Sequence, residues 1–143
     1  MNIKVAYPPN YADIVKAGLK PRHRAVYCYG DTIYNPSGEG IDEHILVHES
    51  VHQEQTKAFG GPEKWWKEYL SNPKQRLEWE IEAYARQYAF ITQSLNREAR
   101  RPFLKAVAKD LSSEMYGHIV DAKTAEDLIK EATNKLSTHK TTE

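Results

Sequence analysis

The sequence has little of what disulfide-bonded, membrane-spanning and nucleic-acid-binding proteins require. Its single cysteine, Cys28, excludes an intrachain disulfide. No apolar run approaches the roughly 20 residues that a membrane span needs, and the mean hydropathy is −0.74. The 20 lysines and arginines are balanced by 20 acidic residues, so charge favours neither nucleic acid nor an anionic membrane as partner. Without an apolar signal segment near residue 1, we expect a cytoplasmic protein.

The length of 143 residues predicts one domain. We place it at residues 1–136, followed by a frayed polar tail at 137–143. Residue alternation and turn signals predict a small N-terminal antiparallel or mixed sheet, with a hairpin around Gly30 and Asp31. Capping and breaking residues then predict a bundle of helices. The predicted strands are 3–7, 25–29 and 32–34, and the predicted helices are 10–19, 41–59, 63–70, 74–95, 102–111 and 123–136. The predicted class is therefore α+β.

The most specific feature is H-E-x-x-H at His48, Glu49 and His52. It lies in a stretch without glycine or proline, preceded by Asp42 as a candidate cap, which predicts a helix. Residues four apart share one helix face, so both imidazoles can reach one metal ion. Glu49 falls beside that point, where a carboxylate can act as general base on water.

A catalytic zinc ion usually has three protein ligands, and the helix beginning near residue 74 offers three glutamates. Glu78 and Glu80 border its apolar stripe on opposite sides, and periodicity leaves them nearly level. Glu82 lies further round, where it can pair with Arg86 four residues on. His44 shares a face with the two motif histidines, but three ligands from one straight helix cannot surround an ion. We therefore expect His44 to be only a neighbour of the site.

H-E-x-x-H followed by E-x-x-A on a later helix, here Glu80 to Ala83, resembles the gluzincin type of zincin metallopeptidase. The resemblance implies a minimal zincin-like domain that binds Zn²⁺ through His48, His52 and Glu80, with Glu49 activating water. Glu82 also begins an E-x-x-A and is the alternative ligand. A further glutamine, Gln55, three residues after the second histidine, is similar to a pattern in small bacterial and phage-encoded zincin-like domains.

Other features of the chain bear on this resemblance. Many gluzincins orient a ligand histidine with an aspartate four residues after the glutamate, and Tyr84 stands there in this chain. His118 is the candidate for stabilising an oxyanion from a later loop. Strand 32–34, just before the motif helix, is the candidate for binding an extended peptide.

The predicted function is zinc-dependent hydrolysis of peptide bonds, with a peptide or protein as substrate and no nucleic-acid or membrane partner. The alternative is a non-catalytic or degenerate zinc-binding module that acts in protein–protein interaction. In that alternative the aromatic group Trp65, Trp66 and Tyr69 forms a partner-binding patch. We expect this group to pack in the core instead.

Overall fold

The computed structural model describes the backbone of residues 2–142 and the side chains of residues 2–136. This part of the chain is α+β and mostly helical, with six α-helices and one three-stranded mixed sheet. The elements in order are β1 (Asn2–Lys4), α1 (Tyr11–Lys16), β2 (Tyr27–Tyr29), β3 (Thr32–Tyr34), α2 (Glu43–Phe59), α3 (Pro62–Ser71), α4 (Pro73–Ile91), α5 (Arg97–Leu111), a 3₁₀ turn (Glu114–Tyr116) and α6 (Ala122–Thr142). The predicted polar tail lies outside the residues whose side chains are described. None of the described helices is long and apolar enough to cross a membrane.

The sheet has the order β1-β3-β2. The predicted hairpin is confirmed: β2 and β3 are antiparallel, and Gly30 in their turn has φ 65°. The prediction that strand 32–34 receives an extended peptide is wrong. β3 pairs with β1 on one side and β2 on the other, so its backbone groups are already in use on both edges. The outer edge next to the motif helix belongs to β2.

Local signals position the two helices that matter most. α2 follows Asp42 and ends at Gly60, whose left-handed φ of 106° suits a glycine. α4 opens with Pro73 in its first turn, and the Asn72 side chain accepts a hydrogen bond from the Gln75 backbone N–H. These boundaries confirm the predicted breaks. α2 then packs lengthwise against α4.

One predicted helix start and one predicted cap are wrong. α5 begins at Arg97, capped by Asn96, so Pro102 lies inside the helix and does not open it. The cap before α6 is Asp121 and not Thr124. The Asp121 carboxylate accepts from the Thr124 backbone N–H at 2.8 Å and its hydroxyl at 3.1 Å. These bonds lower the pKa of Asp121. In both places a strong cap residue, Asn96 or Asp121, precedes the residue that the sequence pattern indicates.

The aromatic group of α3 belongs to the core, as we expected. Trp65, Trp66 and Tyr69 are 1%, 9% and 4% exposed. The Trp65 ring stacks on Tyr69 of the same helix and on Trp79 of α4. The hypothesis that these three side chains form a partner-binding patch is therefore wrong, because they are already buried within the chain.

Candidate metal centre

The two motif histidines lie on the face of α2 that packs against α4. His48 is 5% exposed and His52 is 4% exposed, and their ring centroids are 4.9 Å apart. Glu80, 2% exposed, approaches from α4. Its Oε1 lies 2.9 Å from His48 Nε2 and 3.2 Å from His52 Nε2. Two ligand atoms of a tetrahedral zinc ion are about 3.3 Å apart, so each of the two distances from Glu80 to an imidazole is close to the spacing that zinc requires.

Each histidine is oriented by a glutamine at its far nitrogen. His48 Nδ1 lies 2.8 Å from Gln87 Oε1, and His52 Nδ1 lies 2.8 Å from Gln55 Oε1. An amide oxygen can only accept, so both Nδ1 atoms donate. In a neutral imidazole the lone pair is then on Nε2, the atom that faces Glu80 in both histidines. This is the arrangement in which metal-ligating histidines are usually held.

The second oxygen of Glu80 is held by Tyr69, whose hydroxyl donates to Oε2 at 2.5 Å. Without a metal, the centre is a buried charge cluster. Burial opposes the charged form of Glu80, but His52 and His48 outweigh it and hold the pKa of Glu80 well below its usual range. Burial likewise opposes charge on His52, but Glu80 outweighs it and raises the pKa of His52 to about 9. An anionic carboxylate between two imidazoles fits a divalent cation.

Glu49 lies beside this cluster, and one ligand atom from each of His48, Glu49 and His52 lies within 4.8 Å of the others. It is 7% exposed, and no hydrogen-bond partner is found for its carboxylate among the described side chains. Burial raises the pKa of Glu49, against the lowering effect of the two histidines. A buried carboxylate with a raised pKa and free oxygens is suited to take up and release a proton.

A cavity of about 370 Å³ opens onto the cluster, lined by Glu49, the two histidines and Glu80. Its other walls are mainly apolar. They include Ile14, Leu19, Tyr27, Phe103, Val107 and Met115. At the lining, Arg22 and Asp110 form an ion pair at 2.6 Å. A reactive cluster at the base of an apolar cavity is the usual setting of a small-molecule or peptide site.

The structure places Tyr84 and His118 differently from the predictions. The Tyr84 hydroxyl pairs with the Tyr116 hydroxyl at 2.7 Å, and only its ring contacts His48, at 4.4 Å between centroids. Gln87, not Tyr84, orients His48. His118 is exposed, with Nδ1 3.1 Å from the Ser112 carbonyl oxygen, and does not line the cavity. Tyr116, two residues earlier, lines the cavity instead.

Glu82 and His44 are hydrogen-bonded to the glutamines that orient the two histidines and not to the histidines themselves. Glu82 accepts a hydrogen bond from Gln55 Nε2 at 2.7 Å and does not line the cavity. Glu80 is thus the glutamate that the structure brings beside the imidazoles. His44 lies near the site, as expected, with Nδ1 2.9 Å from Gln87 Nε2. Two contributors were missed, Gln87 and Tyr69. Gln87 follows Glu80 by seven residues, or two helical turns, and this spacing could have revealed it.

Comparison of the chain with protein-family models, curated proteins and solved structures finds no match.

Proposed function

We propose that the protein is a zinc-dependent hydrolase, and specifically a metallopeptidase with a zincin-like centre. The proposed ligands are His48, His52 and Glu80, and the proposed general base is Glu49. One observation carries the proposal: the Nε2 atoms of both histidines lie 2.9 and 3.2 Å from one oxygen of Glu80, and a further hydrogen bond orients each of these three side chains. Two imidazoles and a carboxylate are a donor set that zinc accepts.

Zinc bound there would supply a Lewis acid and lower the pKa of the water that it binds toward neutrality. Glu49 lies close enough to the ligand atoms to accept a proton from attacking water. The same carboxylate can return that proton to the leaving amine. The apolar cavity walls exclude competing water and accommodate substrate side chains.

Peptide is the proposed substrate because an unpaired strand edge lies along the cavity. β2 is an edge strand, and residues 25–28 line the cavity. An extended peptide can pair with such an edge by β-augmentation. One edge group is already used, because Trp66 Nε1 donates to the Cys28 carbonyl oxygen at 2.9 Å. Pairing is therefore expected on the part of the edge that precedes Cys28.

The test combines metal content with turnover. Elemental mass spectrometry should find nearly one zinc per chain, with the zinc lost in Glu80→Ala and kept in Glu82→Ala. Glu49→Gln should keep zinc but stop the cleavage of a mixed peptide library followed by mass spectrometry. Glu43→Gln, an exposed glutamate of the same helix, is the matched control. Unchanged cleavage in Glu49→Gln, or absence of zinc after reconstitution, would overturn the proposal.

A non-catalytic zinc module remains the second candidate. It is favoured by the way the three ligands join α2 to α4, the two helices in most extensive contact. A closed structural zinc usually has a fourth protein ligand. Zinc content together with a spectroscopic count of four protein ligands, and no cleavage of any peptide, would favour this candidate over the hydrolase.

A further inference from the structure

Two acceptors on α4 hold the Gln55 amide nitrogen, and one of them is the exposed carboxylate of Glu82. Gln55 Nε2 donates to Glu82 Oε1 at 2.7 Å and to the Trp79 carbonyl oxygen at 3.0 Å. Both partners can only accept, so both amide hydrogens of Gln55 are committed to α4. Turning the amide over would place its oxygen against two other oxygens. The Gln55 oxygen is therefore held toward His52.

The orientation of Gln55 in turn determines the tautomer of His52. With the amide oxygen 2.8 Å from His52 Nδ1, that nitrogen must carry hydrogen. The neutral ring then has its lone pair on Nε2, the nitrogen that faces Glu80. If the amide were reversed, Nδ1 would have to accept and Nε2 would carry the hydrogen. An imidazole in that form has no lone pair on Nε2 with which to bind a metal ion beside Glu80.

We propose that Glu82 is a positioning residue that selects the metal-binding tautomer of His52 through Gln55. The proposal rests on the zinc site proposed above and assigns to Glu82 a part that is neither ligand nor catalyst. Its carboxylate acts from the surface, whereas Gln55 is 7% exposed and His52 is 4% exposed. A single surface charge would thereby set the protonation pattern of a buried ligand.

The test is Glu82→Gln, compared with Glu78→Gln. Both are exposed glutamates of α4 and lose the same charge, but no hydrogen bond or ion pair is found for Glu78 among the described residues. A glutamine at position 82 can donate as well as accept, so only the Trp79 carbonyl oxygen still opposes turning the Gln55 amide over. Zinc affinity, measured by competition with a chelator, should fall about tenfold in Glu82→Gln, the lower end of the effect of outer partners on metal sites. It should stay unchanged in Glu78→Gln.

Proton NMR of the zinc-loaded protein provides a readout that general destabilisation would not move. Glu82→Gln should weaken or shift the His52 Nδ1–H resonance and leave the His48 Nδ1–H resonance in place. Equal zinc affinity and equal spectra for the two variants would overturn the assignment of Glu82 while the zinc site stands. A wild-type protein that binds no zinc would overturn the proposed function and this inference together.

Discussion

The two candidate ligand histidines are one turn apart on the same helix, but their outer contacts differ. Each Nδ1 lies 2.8 Å from a glutamine oxygen. Behind His52, the Gln55 amide meets only acceptors. Behind His48, the Gln87 amide meets His44 Nδ1, a nitrogen that can either accept or donate. Equal distances at the ring therefore accompany different outer contacts, because two acceptors hold the Gln55 amide nitrogen and a single histidine nitrogen contacts that of Gln87.

Removing the carboxylate that both histidines share should have the largest effect. We expect Glu80→Ala to lower the free energy of unfolding of the metal-free protein by about 3–5 kcal/mol at pH 7, because it leaves buried His52 charge without a partner. Denaturant unfolding in the presence of a chelator measures this, with Glu78→Ala as the control. A loss below about 1 kcal/mol, as for an exposed ion pair, would mean that the cluster is not the buried pair described above.

The pH dependence of stability should reveal the charge on His52. Its pKa is raised from the ordinary 6.5 to about 9 in the folded metal-free protein. The resulting stabilisation is fully present below pH 6.5 and is lost as the pH rises through 9. The expected total is roughly 3 kcal/mol. It is measured as the difference between wild type and Glu80→Ala in unfolding free energy from pH 6 to pH 10. A difference that stays constant over this range would contradict the assigned charge.

Removing either glutamine oxygen should weaken zinc binding to a similar extent, since the contacts of Gln55 and Gln87 differ only at their amide nitrogens. Gln55→Leu and Gln87→Leu each leave a buried Nδ1–H without an acceptor. Both should weaken zinc binding by about 10- to 100-fold, measured by chelator competition. Gln53→Leu, on the same helix as Gln55 and without a described side-chain hydrogen bond, should have no effect. If one of the two buried variants bound zinc as tightly as wild type, its amide would not orient the ring.

Local patterns in the sequence predicted much of this molecule. The hairpin follows from glycine and β-rich residues, and the boundaries of α2 and the start of α4 follow from caps and breakers. Periodicity left Glu78 and Glu80 level, and only the resemblance to gluzincins favoured Glu80. The contacts between elements could not be predicted. The position of β3 at the sheet centre depends on the parallel pairing of β1 with it.

The missed contacts at the site have the same origin. Tyr69 reaches Glu80 from α3, and Tyr84 is turned to Tyr116 by the segment after α5. The spacing of residues within one helix does not predict which side chains of another element will contact it. Gln87 is different, because it lies on the same helix face as Glu80 and was overlooked in favour of the family position four residues on.

The smallest expected effect on zinc affinity comes from His44, which contacts Gln87 in the way that Glu82 contacts Gln55. His44→Leu removes the contact behind Gln87, but that contact only weakly sets the amide because His44 Nδ1 can serve either role. We expect zinc affinity to fall by no more than about threefold, or roughly 0.6 kcal/mol, against about tenfold for Glu82→Gln. The His44 ring also packs edge-on against Phe103, at 5.2 Å between centroids, so thermal unfolding of the variant is needed to separate packing from positioning. Equal losses in the two variants would mean that a histidine fixes a neighbouring amide as firmly as a carboxylate does, and the two sides would then be equivalent.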